Sequence, residues 1–347
     1  MSTQRKEPVA NRFERIRLET DDLGQEDDFS SRDGVDYLSD ESKSVVVRNE
    51  SPDLGFDYSL NPYRGCTHAC AYCYARPTHE YLGFSADQDF ETKILVKRNA
   101  PELFDRFLRR SGWDASPVAF SGVTDCYQPI ERKLNLTAKC LEVADRFSQP
   151  VSIVTKNALV EKDIDRLISM SRRNLVHVYL SITTLDRELA SRLEPGTSSP
   201  RSRIDAVKRL SDSGVPTGVV IAPVIPGLTD DHMASIIEAA AKSGAIQCRY
   251  SVLRLPGAVR PVFFNWLRRH FPDRVDRVKG RIEALRDGQL NDSAFGSRMR
   301  GSGEAADWLA QMFRAFTMKF GVRDQMPEYN RQVFKVPNSN GQLSLFD

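Results

Sequence analysis

Cys66, Cys70 and Cys73 stand in the run Gly65-Cys66-Thr67-His68-Ala69-Cys70-Ala71-Tyr72-Cys73, a Cx3CxxC triplet. Thiolates are soft ligands, and three of them on one short loop can hold three irons of a [4Fe-4S] cube while the fourth iron keeps no protein ligand. An iron left open in this way can bind and activate a second molecule. A structural zinc site closes its tetrahedron with another ligand pair, and no further CxxC or CxxH occurs in the chain, so zinc is the weaker reading. Three unligated cysteines in a core helix are the plain structural alternative, which leaves polar Thr67 and His68 between them unexplained. Tyr72 can cover a cluster, contact a flat ligand or simply pack. Cys126, Cys140 and Cys248 are scattered and read as small buried residues, with Cys126 first in line should one be a catalytic thiol.

Positioning such a loop requires a rigid frame. With 347 residues, 39.2 kDa and 40% hydrophobic content, the chain can bury one large core. Short apolar runs at 118–123, 151–155, 176–182, 219–224 and 248–253 alternate with amphipathic stretches at 101–110, 137–147, 161–171, 201–213 and 231–243. That alternation is the pattern of a parallel α/β sheet, and an initial strand before the cysteine loop makes six β/α units. In such sheets the reactive residues follow the carboxyl ends of strands. Polar insertions fall there: Thr124-Asp125-Cys126 after the second strand, Lys156-Asn157 after the third, Ser181 and Thr183-Thr184 after the fourth.

The cysteine spacing resembles the signature of the radical S-adenosylmethionine (SAM) superfamily. That resemblance implies a partial (β/α)6 TIM-type barrel, a [4Fe-4S] cluster and SAM, whose amino and carboxylate groups chelate the open iron. SAM requires hydroxyls, a cation and apolar walls. Thr124, Lys156 and Ser181 supply the polar set, Arg203 is a cation for the carboxylate, and the turn around Ile225 lets backbone approach a flat ring. Each has an ordinary reading too, as a local cap, a solvated cation or a plain turn. Within the superfamily, the segments at 65–77, 124–131, 181–195 and 222–230 resemble spore photoproduct lyase-like proteins, from about 57 to 321. By that resemblance Cys66, Cys70 and Cys73 bind the cluster, and Thr124, Lys156 and Ser181 contact SAM. The lyase carries a hydrogen-donating cysteine just before its Ser/Thr-Asp pair, where this chain has Val123. Cys126 is the substitute donor to test.

The net charge of +2 argues against a general polycationic coat. Residues 260–300 nevertheless contain ten Lys or Arg against five Asp or Glu, with Trp266, Phe271 and Phe295, and form a possible DNA-tracking surface or a solvated helix face. The polar stretch 290–298 is expected to close the open side of the barrel. Residues 19–41 hold ten acidic side chains against Arg32, so 1–50 reads as a flexible acidic arm, 51–330 as the catalytic domain and 331–347 as a flexible tail. The tail ends in Gln342, Leu343, Ser344, Leu345 and Phe346, a peptide similar to those that dock on the bacterial DNA sliding clamp. Free cysteines, no signal peptide and no long apolar run point to the cytoplasm and away from a membrane. A radical enzyme also needs an electron donor such as flavodoxin or ferredoxin. The readings are a radical SAM enzyme on DNA, the same chemistry on a peptide or small molecule, or a non-catalytic iron–sulfur adaptor.

Overall fold

The β-branched runs lie side by side in a computed structural model that describes residues 34–337. In chain order the strands are β1 (Asp36–Ser39), β2 (Val46–Arg48), β3 (Tyr58–Leu60), β4 (Tyr63–Arg64), β5 (Lys93–Val96), β6 (Val118–Phe120), β7 (Val151–Thr155), β8 (Val176–Ser181), β9 (Thr217–Val224) and β10 (Gln247–Val252). Seven form one sheet in the order β10-β9-β8-β7-β6-β3-β2, with β1-β5-β4 as a second, smaller sheet. From β3 to β10 every neighbouring pair is parallel, and β2 is antiparallel to β3. These are the six expected parallel strands in their expected places, in an array left open between β2 and β10.

Every residue of β8 is buried, as a central parallel strand covered on both faces requires. The covering helices carry apolar residues at helical spacing. Leu136–Phe147, for example, buries Leu136, Cys140, Leu141, Val143, Ala144 and Phe147. Its start is fixed by buried Glu131, which accepts from the Leu136 and Thr137 N–H groups at 3.1 and 2.9 Å.

Two boundaries differ from the composition reading. Part of the acidic arm, residues 34–50, is built into the fold: β1 pairs in parallel with β5, while Val45 and Val46 enter the core. Backbone pairing and a few apolar side chains outweigh the acidic average, and Arg64 holds Asp40 at 2.8 Å. At the other end, 331–337 is packed rather than free. Tyr329 stacks on His177 with centroids 4.0 Å apart, the Lys335 N–H donates to the Phe147 carbonyl at 3.0 Å, and Arg331 pairs with Asp114 at 2.6 Å. The terminal peptide 342–346 lies outside the described residues.

Between the sheet edges, Asp53 accepts from Arg298 at 2.5 Å and from the Gly296 N–H at 2.6 Å, and Asn291 accepts from the Leu255 N–H at 3.0 Å. The 290–298 stretch therefore ties the exit of β10 to the segment between β2 and β3. No helix among the described residues is long and apolar enough to cross a membrane.

Candidate active site

The cysteine loop leaves β4 through Gly65, whose φ of +79° and crowding by the Lys93 carbonyl oxygen admit no side chain. It is fastened from below by Arg76, which is fully buried and donates to the Cys70 carbonyl at 2.9 Å and to those of Ala86 and Asp87 at 3.0 and 2.9 Å. Gln128 clasps the other limb, accepting from the Thr67 N–H at 3.1 Å and donating to the Gly65 carbonyl at 3.3 Å. The loop then rests on the segment after β8. The Ala71 N–H donates to Leu193 O at 3.0 Å and the Gly196 N–H to His68 O at 3.1 Å. A Cβ on Gly196 would stand 2.1 Å from Thr67 O, so this close backbone contact requires glycine.

Cys66 and Cys70 are buried and Cys73 is partly exposed. Burial pushes the Cys70 thiol up, the Glu194 carboxylate and the other two cysteines add to this, and Lys156 opposes it. Burial followed by Cys66 does the same to Cys73. Three thiols held within electrostatic reach of one another are poor anions until metal charge relieves them, which fits an iron–sulfur cluster. Among the described residues no three His, Cys, Asp or Glu side chains close around a single ion. A cubane spreads its ligands over separate irons and needs no such closure.

His68, between the first two cysteines, is 3.4 Å from Asp125 through Nδ1 and 3.4 Å from Asn157 Nδ2 through Nε2. Burial works against its charge, yet Cys66 and Asp125 hold its pKa up at about 10. Asp125 also accepts from Thr155 Oγ1 at 2.7 Å and from the Lys156 N–H at 2.8 Å, locking the ends of β6 and β7 together.

Lys156, Ser181 and Tyr72 converge. The Lys156 ammonium donates to Ser181 Oγ at 2.8 Å and lies 5.7 Å from the Tyr72 ring centroid. The Tyr72 hydroxyl donates to Glu194 and sits 3.1 Å from Thr183 Oγ1. Ile225 shares an apolar cluster with Cys70 and Tyr72 and supplies the wall beside the loop. Thr124, in the loop after β6, is partly committed: its hydroxyl donates to Tyr63 O at 2.7 Å, and Asn61 Oδ1 holds the Val123 and Thr124 N–H groups at 2.9 and 3.3 Å.

Two expected residues are engaged within the protein instead. Arg203 is wholly buried, and its guanidinium is spent on Glu194 at 2.6 Å, Ser181 O at 2.7 Å and Ser198 O at 3.0 Å. It positions Glu194 and has no face toward a ligand carboxylate. Cys126 is wholly buried in the main core, its N–H donating to Ser121 Oγ at 2.8 Å and its carbonyl accepting from Thr137 Oγ1 at 2.7 Å. Burial keeps the sulfur as a thiol, the form that could give up a hydrogen atom, but its enclosure in the main core makes it a packing residue rather than a donor at the loop. Val123 and Tyr74 stand at the mouth, 38% and 50% exposed, and the Tyr74 hydroxyl donates to Gly122 O at 2.9 Å. Glu194, Arg76, Gln128, Asn61 and Asp125 went unassigned from sequence, although Glu194-Pro195-Gly196 marks the loop that carries the first.

Comparison with known proteins bears on the family and the fold. The sequence model of the radical SAM superfamily matches residues 60–240. An uncharacterized protein of Mycobacterium tuberculosis is 35% identical over 252 residues, spanning 71% of this chain and 74% of that one. Spore photoproduct lyase of Bacillus subtilis is 25% identical over 234 residues, 62% of each chain. Among solved structures, spore photoproduct lyase complexed with dinucleoside spore photoproduct aligns at a TM-score of 0.60 and 18% identity, covering 82% of this chain and 79% of that one, which shows a common fold.

Proposed function

The chain belongs to the radical SAM superfamily, and from that membership we propose an enzyme in which Cys66, Cys70 and Cys73 hold a [4Fe-4S] cluster and the adjoining strand ends bind SAM. When bound, cluster and SAM supply one-electron cleavage of the sulfonium S–C5′ bond to a 5′-deoxyadenosyl radical, which takes a hydrogen atom from the substrate. The observation that carries the reading is the contact of the cysteine loop with the 193–196 segment, which sets the thiols beside Lys156, Ser181 and Tyr72. Lys156 neutralises the SAM carboxylate, with Ser181 orienting its ammonium. Ser181 and Thr124 offer hydroxyl lone pairs to the amino-acid and ribose groups, and Tyr72 and Ile225 wall the adenine. Glu194, held ionised by Arg203 in spite of its burial, fixes Tyr72 through its hydroxyl. His68, Arg76 and Gln128 keep the loop in place and water away from the reacting atoms.

The substrate in this reading is nucleic acid, in a repair-like reaction. Support comes from the fold shared with spore photoproduct lyase, whose solved complex contains a dinucleoside photoproduct. With valine at 123 and Cys126 buried, neither position returns a hydrogen atom, so the reading extends to hydrogen abstraction and does not claim thymine-dimer reversal. A flavodoxin or ferredoxin serves as reductant, and residues 342–346 recruit the enzyme to the sliding clamp, a role supported by their sequence alone.

Anaerobic reconstitution with iron and sulfide, followed by SAM and dithionite, tests the chemistry through 5′-deoxyadenosine formation. No 5′-deoxyadenosine from cluster-loaded protein overturns the enzyme reading. Damaged DNA in deuterated solvent, followed by mass spectrometry of the bases, tests the substrate: an unchanged base pool alongside SAM turnover overturns it.

A further inference from the structure

The carboxyl end of β10 runs into Leu253-Arg254-Leu255, on the rim of the sheet that also carries Lys156 and Ser181. The Arg254 guanidinium lies 6.0 Å from the centroid of the Tyr74 ring, and Tyr74 directly follows Cys73. Because the Tyr74 hydroxyl reaches Gly122 O, the ring spans the opening from the β6 loop to Arg254. Arg286 joins from the helical segment beyond. It is 4% exposed and donates from Nη2 to Leu253 O at 2.6 Å and to Arg298 O at 3.2 Å. Arg298 lies 4.5 Å from the centroid of the Phe295 ring, itself 60% exposed.

Three guanidiniums here face two carboxylates, Asp53 and Asp292, and the Asp53 oxygens are already taken by Arg298 and the Gly296 N–H. Asp292 is spent on the Ala294 N–H and the Ser297 hydroxyl. Two donors remain over: Arg254 Nε and Arg286 Nη1 are buried and lack a hydrogen-bond partner among the described residues. An unmet buried donor on a charged group costs free energy, and the cost is recovered when an anionic acceptor arrives. Burial depresses the pKa of both Arg254 and Arg286; Arg298 adds to this at Arg254 against Tyr74 and Asp53, and at Arg286 Asp292 opposes it while Arg254 adds to it. None of these residues has a role toward cluster or SAM in the function proposed above.

We infer that Arg254, Arg286 and Arg298 form a phosphodiester subsite at the mouth of the active site, with Phe295 and Tyr74 as ring platforms for the flanking bases. This deepens the nucleic-acid reading and rests on it. A phosphodiester presents several acceptor oxygens on one compact anion, which guanidinium forks match. Exposed aromatic rings beside a cationic cluster suit a single strand or an extruded nucleotide, whose bases offer free faces.

The test is a fluorescence-anisotropy titration of the reconstituted full chain with a labelled oligothymidylate at several salt concentrations. Arg254→Gln is expected to weaken binding about tenfold, as removal of a charge-assisted hydrogen bond does. Its plot of log K against log salt should become shallower by roughly 0.7 for each phosphate that the variant no longer neutralises. Phe295→Ala, at an exposed position that leaves the core untouched, should weaken binding about fivefold or more by removing a stacking platform. If both variants bind with wild-type affinity and slope, the subsite is refuted while the nucleic-acid reading stands. If the wild-type protein binds no oligonucleotide, the nucleic-acid reading falls and takes the subsite with it. In that case, stabilisation by inorganic phosphate that Arg254→Gln lacks would reassign the arginines to a free phosphate.

Discussion

Replacing Arg203 by methionine tests what holds the loop that carries Glu194. The two side chains are fully buried and meet at 2.6 Å, and Glu194 also receives the hydroxyls of Tyr72 and, at 2.7 Å, Thr183. Arg203→Met keeps much of the volume and removes the charge, leaving a carboxylate in the interior. Breaking a buried pair from one side costs about 3–5 kcal/mol. The two hydroxyls that remain on Glu194 place the expectation at the lower end, about 3 kcal/mol, since hydrogen bonds to charged groups contribute about 1.5–3 kcal/mol each. The pH dependence is the sharper measure. In the native protein burial alone would raise the Glu194 pKa, but Arg203 and then Lys156 outweigh it and hold the carboxyl below its usual range. Its stabilising contribution is therefore complete above the unfolded pKa of about 4.3 and is lost as pH falls through the lower folded value. Without Arg203 burial prevails, the folded pKa moves above the unfolded one, and the variant loses stability as pH rises between them. The deficit of Arg203→Met should accordingly be small near pH 4 and widen toward neutrality. Urea unfolding followed by circular dichroism at a series of pH values measures it. A deficit below about 1 kcal/mol, the range of an exposed pair, or one that does not change with pH, refutes the reasoning.

Gly196→Ala forces a Cβ to within 2.1 Å of Thr67 O, where only backbone can yield. Overpacking of this kind costs about 1–3 kcal/mol or more, and iron and sulfide content after reconstitution should drop. Full loading would show that this close approach does not set the cysteine loop. Lys156→Met removes the cation bonded to Ser181, so SAM binding by equilibrium dialysis should weaken at least tenfold, given about 1.5–3 kcal/mol for a charged hydrogen bond; an unchanged affinity rules out the carboxylate role. His177, whose pKa burial lowers to about 4, stacks on Tyr329. Its contribution is complete above about pH 6.5 and is lost on acidification toward pH 4, roughly 3 kcal/mol at about 1.4 kcal/mol per pH unit. His177→Phe keeps a ring there, and thermal melts across that window should lose most of their acid sensitivity. Melts with the wild-type pH profile would assign the sensitivity elsewhere.

The parallel sheet was legible because strands covered on both faces become near-continuous apolar runs, and Val151–Thr155 sits where its pattern places it. The strand-end position of Lys156 and Ser181 was legible for a related reason: a polar residue that ends such a run stands at the carboxyl rim of the sheet. The direction of a side chain beyond the strand end was not. Ser121 turns the chain with φ at +72°, and its hydroxyl takes the Cys126 N–H, which leaves the thiol in the core. Nothing in the order of residues announces that turn. β1 was hidden because an acidic composition is a local average, whereas pairing of Asp36–Ser39 with Lys93–Val96 joins distant segments.

Arg203 was misread for a more general reason. A cation near a ligand that bears a carboxylate invites direct pairing, yet the interior supplied its own carboxylate in Glu194. An arginine able to grip a ligand must keep a nitrogen free, and every nitrogen of Arg203 already has a partner among Glu194, Thr197 and the carbonyls of Ser181 and Ser198. Arg254 and Arg286 meet that condition, each retaining a buried nitrogen without a partner among the described residues. Positive charge alone therefore says little about ligand contact in this protein. In the phosphodiester reading, the unspent donors are what separates Arg254 and Arg286 from an arginine wholly given to the fold.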